Sequence, residues 1–477
     1  MSRPPLPVRP SLVVLCAAAA LLVALVAALA GPPPVRGAAV PTDCLRAQSQ
    51  VAHVQGPPEV SGPLAPAARR PTILGRGAWS FFGDQRAITV GGIVYTGWVT
   101  RSGDVVVARF VPGAPHASSK VVIGHTGTDD HNNPSLLPTA DGRIVAFFSP
   151  HSGRFIPRSG PGHMYYRMTV APGRFDRWTR TRRVPVNAPG ELGFTYPNAI
   201  ALSNDKTFVA WRGGCWEPTF AIKEGDRWGR AREIVVGPRG ARPYAKYGAG
   251  PPGSGLVHMC YTERHPNQGH TGVHCLEYRD GRFTRADGTL VAGLRGLPIP
   301  AAKGDEVYRF DRRLRQAWVM DVADDGHGHP LVAFSVGNPR GPQHYLFGRW
   351  TGTHWRLTQI ARAFSDFGGR LEAGGMTIDP NDPYTVYLGR MLDHRIRVEQ
   401  WSSADRGRTW RGVRRVSPEG RDCFRPTATA ADARTVVLFV CGRSRSWTDF
   451  RTEIQAVALD PVAAPAPPSA PPKTGTL

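Results

Sequence analysis

Lysine and acid are both scarce in this chain. Six of its 59 Lys+Arg residues are lysine, and 37 residues are Asp or Glu, so the formal charge is +22. The arginines form no basic run interleaved with aromatics, and nucleic acid is therefore not an expected partner. Charged residues of both signs make up only 20% of the chain. No window after residue 40 carries an apolar stripe of 3.6-residue period, which argues against coiled coils and helix bundles. No apolar run beyond the N-terminal region is long enough to span a membrane. The seven cysteines include no C-x-x-C pair, so the strongest zinc signature is missing.

What is present points to export and to β-structure. Arg3 and Arg9 precede an uncharged apolar run over 12–30, closed by Gly31-Pro32-Pro33-Pro34. That is the order of a secretory signal, so residues 1–39 are expected to be a signal peptide or an uncleaved N-terminal anchor, the one membrane contact foreseen. The mature protein is expected outside the cell. Residues 40–75 and 461–477 are rich in Pro and Ala and read as linker and tail. The globular part is placed at 76–460.

An exported chain with six remaining cysteines favours disulfides. Cys423 and Cys441 flank two strand-like runs around a tight turn. Cys260 and Cys275 face each other across another expected hairpin. They form either a disulfide or, with the nearby histidines, part of a structural zinc site whose ligands would be His265, His274 and Cys275. Cys44 and Cys215 remain as a pair only by subtraction.

Alternation of β-branched and aromatic residues recurs from residue 93 to residue 440, as in Ile93-Val94-Tyr95-Thr96-Gly97-Trp98-Val99. An aromatic after a polar turn recurs at Trp178, Trp228, Phe283, Trp355 and Trp410. Spacings of that size suit four short strands with their turns, one propeller blade. The chain is therefore expected to be all-β, a single β-propeller of about seven blades. Ser403-Ala404-Asp405-Arg406-Gly407-Arg408-Thr409-Trp410 fits the S-x-D-x-G-x-T-W Asp-box. Its Asp caps a tight turn, its Gly takes a positive φ, and its Trp packs between blades, so its role is structural.

Chemistry-bearing residues concentrate between 129 and 275. They lie in Asp129-Asp130-His131-Asn132-Asn133-Pro134, Thr195-Tyr196-Pro197-Asn198, Trp211-Arg212-Gly213 and Arg242-Pro243-Tyr244-Ala245-Lys246-Tyr247. With Trp79-Ser80-Phe81-Phe82, Asp84-Gln85-Arg86-Ala87-Ile88 and the Asp-box, their order resembles secreted BNR-repeat propellers, above all polysaccharide lyases of the ulvan lyase type. The resemblance implies β-elimination on an acidic, uronate-containing polysaccharide by a monomeric enzyme needing no cofactor for catalysis. It implies that His131 and Arg212 serve the carboxylate, and that Tyr196 is the base and also the acid. One of Tyr244 and Tyr247 completes the catalytic set, and residues alone do not choose between them. Asn132, Asn133, Arg242, His151 and His163 are the expected substrate contacts, the two last flanking a Gly/Pro/Arg-rich loop at 152–162. Phenol has an ordinary pKa of about 10, so this chemistry needs cations beside Tyr196. A non-catalytic glycan-binding propeller remains an alternative. A sialidase-like glycosidase fits less well, because the early Arg-Ile-Pro signature is missing.

Overall fold

Short runs of alternating apolar residues broken by glycine turns fold here as successive four-stranded antiparallel meanders. The computed structural model describes residues 64–461, apart from 68, 152–162, 189–193, 204, 215, 239–240, 267–268, 311–315, 338–342 and 365–373. The expected signal segment, nearly all of the tail, the loop at 152–162 and the Cys44/Cys215 pair thus lie outside the described residues. Those described fall within one compact unit, Ala52–Leu477.

Seven sheets of four to six strands follow one another around a ring, so the protein is a seven-bladed β-propeller. Their first strands are Ala87–Val90, Ser135–Pro138, Thr195–Ala201, Tyr244–Ala249, Gln316–Asp324, Met376–Ile378 and Cys423–Ala431. The seventh blade takes its outermost strand from the other end of the chain: Thr72–Arg76 pairs antiparallel with Phe450–Leu459, with Thr72 opposite Ala456. The propeller therefore begins at Thr72, and the stretch expected as linker up to residue 75 ends inside a sheet. Burying the strand's backbone groups against Phe450–Leu459 protects what would otherwise be an open sheet edge.

Apolar clusters seal the blades to one another. Phe148 and Ile123 pack between blades one and two, Phe194 and Phe147 between two and three, and Phe208 and Tyr278 between three and four. The recurring aromatics mark the outer turns: Trp228, Phe283 and Trp355 lie in fourth strands, and Trp410 just before one. In the Asp-box, the Asp405 carboxylate accepts from the Arg408 and Thr409 amides at 3.0 and 2.8 Å. Gly407 has φ +77°, and Trp410 packs on Phe347 of the preceding blade at 5.0 Å.

Both hairpin disulfides form, Cys260–Cys275 and Cys423–Cys441. Bridges of this kind belong to chains that mature in an oxidising compartment. Near the axis, fully buried Lys246 donates to the Asp84 carboxylate and to the Phe81 carbonyl. Arg86 donates from Nε to the same carboxylate at 2.7 Å. Burial opposes the charge on Asp84, but the two cations hold its pKa below the usual range. This buried triad ties the segment before blade one to blade four, as an ion cluster must when water is excluded.

Candidate active site

Asp129 organises one wall of a cavity of about 420 Å³ on one face of the ring. It caps the 3₁₀ turn Asp130–Asn132, accepting from the His131 amide at 3.0 Å. The same carboxylate contacts Nδ1 of His131 at 2.5 Å and Nδ1 of His151 at 2.9 Å. The two imidazoles stack nearly parallel, 4.2 Å apart with 10° between planes. With Nδ1 of each ring bound to Asp129, Nε2 is the nitrogen each can offer to the cavity both residues line.

The shared carboxylate separates the two rings electrostatically. Burial disfavours charge on His131, but hydrogen bonding and attraction from Asp129 and Asp130 raise its pKa to about 10. It is an imidazolium at neutral pH. For His151 burial prevails, and the positive charges of His131 and Arg212 add to it, so its pKa falls. Asp129 itself is desolvated, yet the two imidazoles hold it well below the usual carboxylate range.

Tyr196 enters through a β-bulge. The register between the first two strands of blade three slips between Thr195 and Asn198, and Thr195 lies opposite Arg212. Tyr196 sits in that slip with φ +57°, a conformation a bulky residue adopts only where its surroundings impose it. Bulges beside sites re-aim side chains in this way. Its ring lies 5.3 Å from His131 and 5.9 Å from Tyr244, centroid to centroid. Arg212 lies one residue before the end of the second strand of the same blade, Lys206–Gly213. Its guanidinium lies 4.4 Å from the Tyr244 ring centre and 4.8 Å from that of Trp216, and Nη1 donates to the Tyr244 hydroxyl at 3.0 Å. Among the described residues no carboxylate forms an ion pair with Arg212.

The structure thus gathers His131, His151, Tyr196, Arg212, Arg242, Tyr244 and His265 around one cavity. Tyr247 is a correction: it does not line that cavity, and it packs at 5.9 Å on Phe208 in the core between blades three and four. Burial pushes its pKa up, which is unsuited to proton transfer. Asn132 and Asn133 are corrections too. Both are fully buried and bonded to backbone: Asn132 donates to the Thr126 and Gly127 carbonyls and accepts from the His151 amide, and Asn133 joins Ser80 to Gly83. They shape the turn that carries His131. His163 lies away from the cavity, 3.3 Å from Arg183.

The expected zinc ligands do not converge. Cys275 is bonded to Cys260 and has no thiolate to offer, and His274 engages Glu263 at 2.9 Å. His265 turns into the cavity, edge-on to Tyr244 at 4.7 Å, where burial and the cations Arg212 and Arg242 bring its pKa down to about 4. Among the described residues, three metal-ligating groups meet only at Asp129, His131 and His151. There the carboxylate already bonds both imidazoles directly, an arrangement that holds the rings without an ion.

Sequence reasoning missed Asp129 as the anchor, and Trp216, Trp318, Arg425 and Trp447 as lining residues. Arg425 bonds the Trp79 carbonyl at 2.8 Å and pairs with Asp130, closing the wall behind His131.

The profile of a BNR repeat-containing family member matches residues 93–363. Among curated proteins none matches. An ulvan lyase of family PL25 bound to -[GlcA(1-4)Rha3S]- is 14% identical over 82% of this chain and 95% of its own, with a TM-score of 0.63. The polysaccharide lyase Uly1 is 12% identical over 79% of this chain and 90% of its own, with a TM-score of 0.54. At these identities the likeness is one of fold.

Proposed function

The chain belongs to the BNR repeat-containing family, and from that premise we propose that it is a secreted polysaccharide lyase cleaving a uronate-containing glycan by β-elimination. One observation carries the reading. A buried guanidinium with no carboxylate partner among the described residues and a histidine held as imidazolium share a cavity with a tyrosine presented by a bulge.

The reaction needs those three groups. The proton on C5 of a uronate becomes removable when its carboxylate is neutralised and the developing enolate is stabilised. His131 and Arg212 supply two positive charges for that oxygen pair. The Tyr196 oxygen takes the C5 proton, the C4–O bond breaks as the C4=C5 double bond forms, and the proton passes to the departing oxygen. Tyr244 holds Arg212 in place through its hydroxyl. The apolar walls of Phe82 and Trp318 lower the local dielectric and so strengthen each of these interactions. Among the described residues the cavity is lined by no carboxylate, which gives a sialidase-like glycosidase no acidic partner for its tyrosine. The disulfides and the basic surface accord with an exported protein meeting an acidic polysaccharide.

The test incubates purified protein with a panel of uronate polysaccharides and follows the ultraviolet absorbance of new unsaturated ends. A signal from one or more glycans, absent with Tyr196→Phe, is expected. Retention of a glycan with no unsaturated product from any would instead favour the non-catalytic glycan-binding propeller.

A further inference from the structure

An exposed indole at the mouth of the cavity has no part in the chemistry above. Trp447 is 46% exposed and lines the cavity from the hairpin between the second and third strands of blade seven. Its position is fixed. The Trp447 carbonyl accepts from the Asp130 amide at 2.8 Å, joining the hairpin to the turn that bears His131. Within the hairpin the Arg445 amide donates to the Asp449 carbonyl at 2.8 Å, and the Asp449 amide donates to Ser446 Oγ at 3.0 Å.

Four rings stand in sequence across this face. Trp447 is edge-on to His131 at 6.0 Å, His131 stacks on His151 at 4.2 Å, and His151 meets Trp216 at 6.1 Å. An indole thus stands at each end of the imidazole pair. Pyranose rings have apolar C–H faces and polar rims, the complement of an indole that is flat, apolar and hydrogen-bonding at one edge. A uronate held at His131 and Arg212 carries a neighbour on each glycosidic side.

We propose that Trp447 and Trp216 are stacking platforms for the sugars on the two sides of the reacting uronate, so that the polysaccharide is cut internally. This rests on the lyase reading. Trp216 also grips Arg212 and Arg242, so truncating it disturbs the carboxylate site, and Trp447 is the residue to test. Trp447→Ala should raise KM for the polymer about tenfold, equivalent to about 1.4 kcal/mol, and more than it lowers kcat, as expected for lost ground-state binding. Trp447→Phe should recover most of the loss. Size-exclusion chromatography of early products should show mid-sized oligosaccharides. An unmoved KM in Trp447→Ala, or terminal disaccharide as the only early product, would overturn the proposal. If no variant yields unsaturated product, the lyase reading fails by itself. Titration of intrinsic fluorescence with the same polymer then decides: weaker binding by Trp447→Ala supports the platform, and unchanged binding rejects it.

Discussion

Replacing Asp129 with asparagine keeps the side chain's shape and removes the charge that two imidazoles share. His131 stands at about 10 against an ordinary 6.5, a preference for imidazolium of about 5 kcal/mol. Asp129 makes the aligned 2.5 Å hydrogen bond, whereas Asp130 lies 3.1 Å away and is also engaged by Arg425. Removing the Asp129 charge leaves only Asp130 to offset the desolvation of the buried ring, so the His131 pKa falls. The sign follows from a raised pKa: the charged form is fully present below 6.5 and is lost as pH climbs through about 10 in the native protein. In the variant the loss comes earlier. The assays are an NMR titration of the His131 ring and the alkaline limb of kcat/KM. Both should move to lower pH, by on the order of one unit or more, while asparagine, itself a good cap, limits the loss of stability. An unshifted titration with a uniform fall in rate would mean that Asp129 acts only as a cap, and would refute the reasoning.

Tyr196→Phe should abolish turnover by 10²-fold or more, on the order expected for lost acid–base participation, with glycan affinity nearly intact. Arg212→Ala should weaken both binding and rate, measured as KM and kcat on one polymer. Buried His258 lies 2.8 Å from Asp324 and 3.1 Å from Glu277; burial opposes its charge but the two carboxylates raise its pKa. The stability it adds should be complete below about pH 6.5 and fall as pH rises through its folded-state value, and melting curves of His258→Gln should lose that slope. Removing Cys423–Cys441, which closes a separation of 18 residues, should cost about 3 kcal/mol in denaturant titration, and mass spectrometry without reductant should find both thiols bonded.

The propeller was legible because each blade repeats the same local demands, and five outer-turn aromatics from Trp178 to Trp410 report them in order. The site was legible only where it is built from blades two to four. Trp318, Arg425 and Trp447 come from blades five and seven, and ring closure rather than any local pattern brings them to His131. Tyr244 and Tyr247 are three residues apart on one strand, so pleating sends them to opposite faces. Choosing between them needed the sheet's position in the ring. Asn132 and Asn133 were misread because a polar residue beside a candidate histidine looks the same whether it meets substrate or a buried carbonyl.

The seventh blade's mixed origin imposes an order in time. Thr72–Arg76 finds its partner only when Phe450–Leu459 is available, so the earliest strand made waits for almost the last. Contacts of such sequence separation slow folding. Arg425 and Trp447 ride on that same late blade. A nascent chain, emerging N-terminus first, can therefore assemble several blades while one wall of its cavity is still unmade. The protein acquires a complete pocket only when synthesis has run nearly to its end.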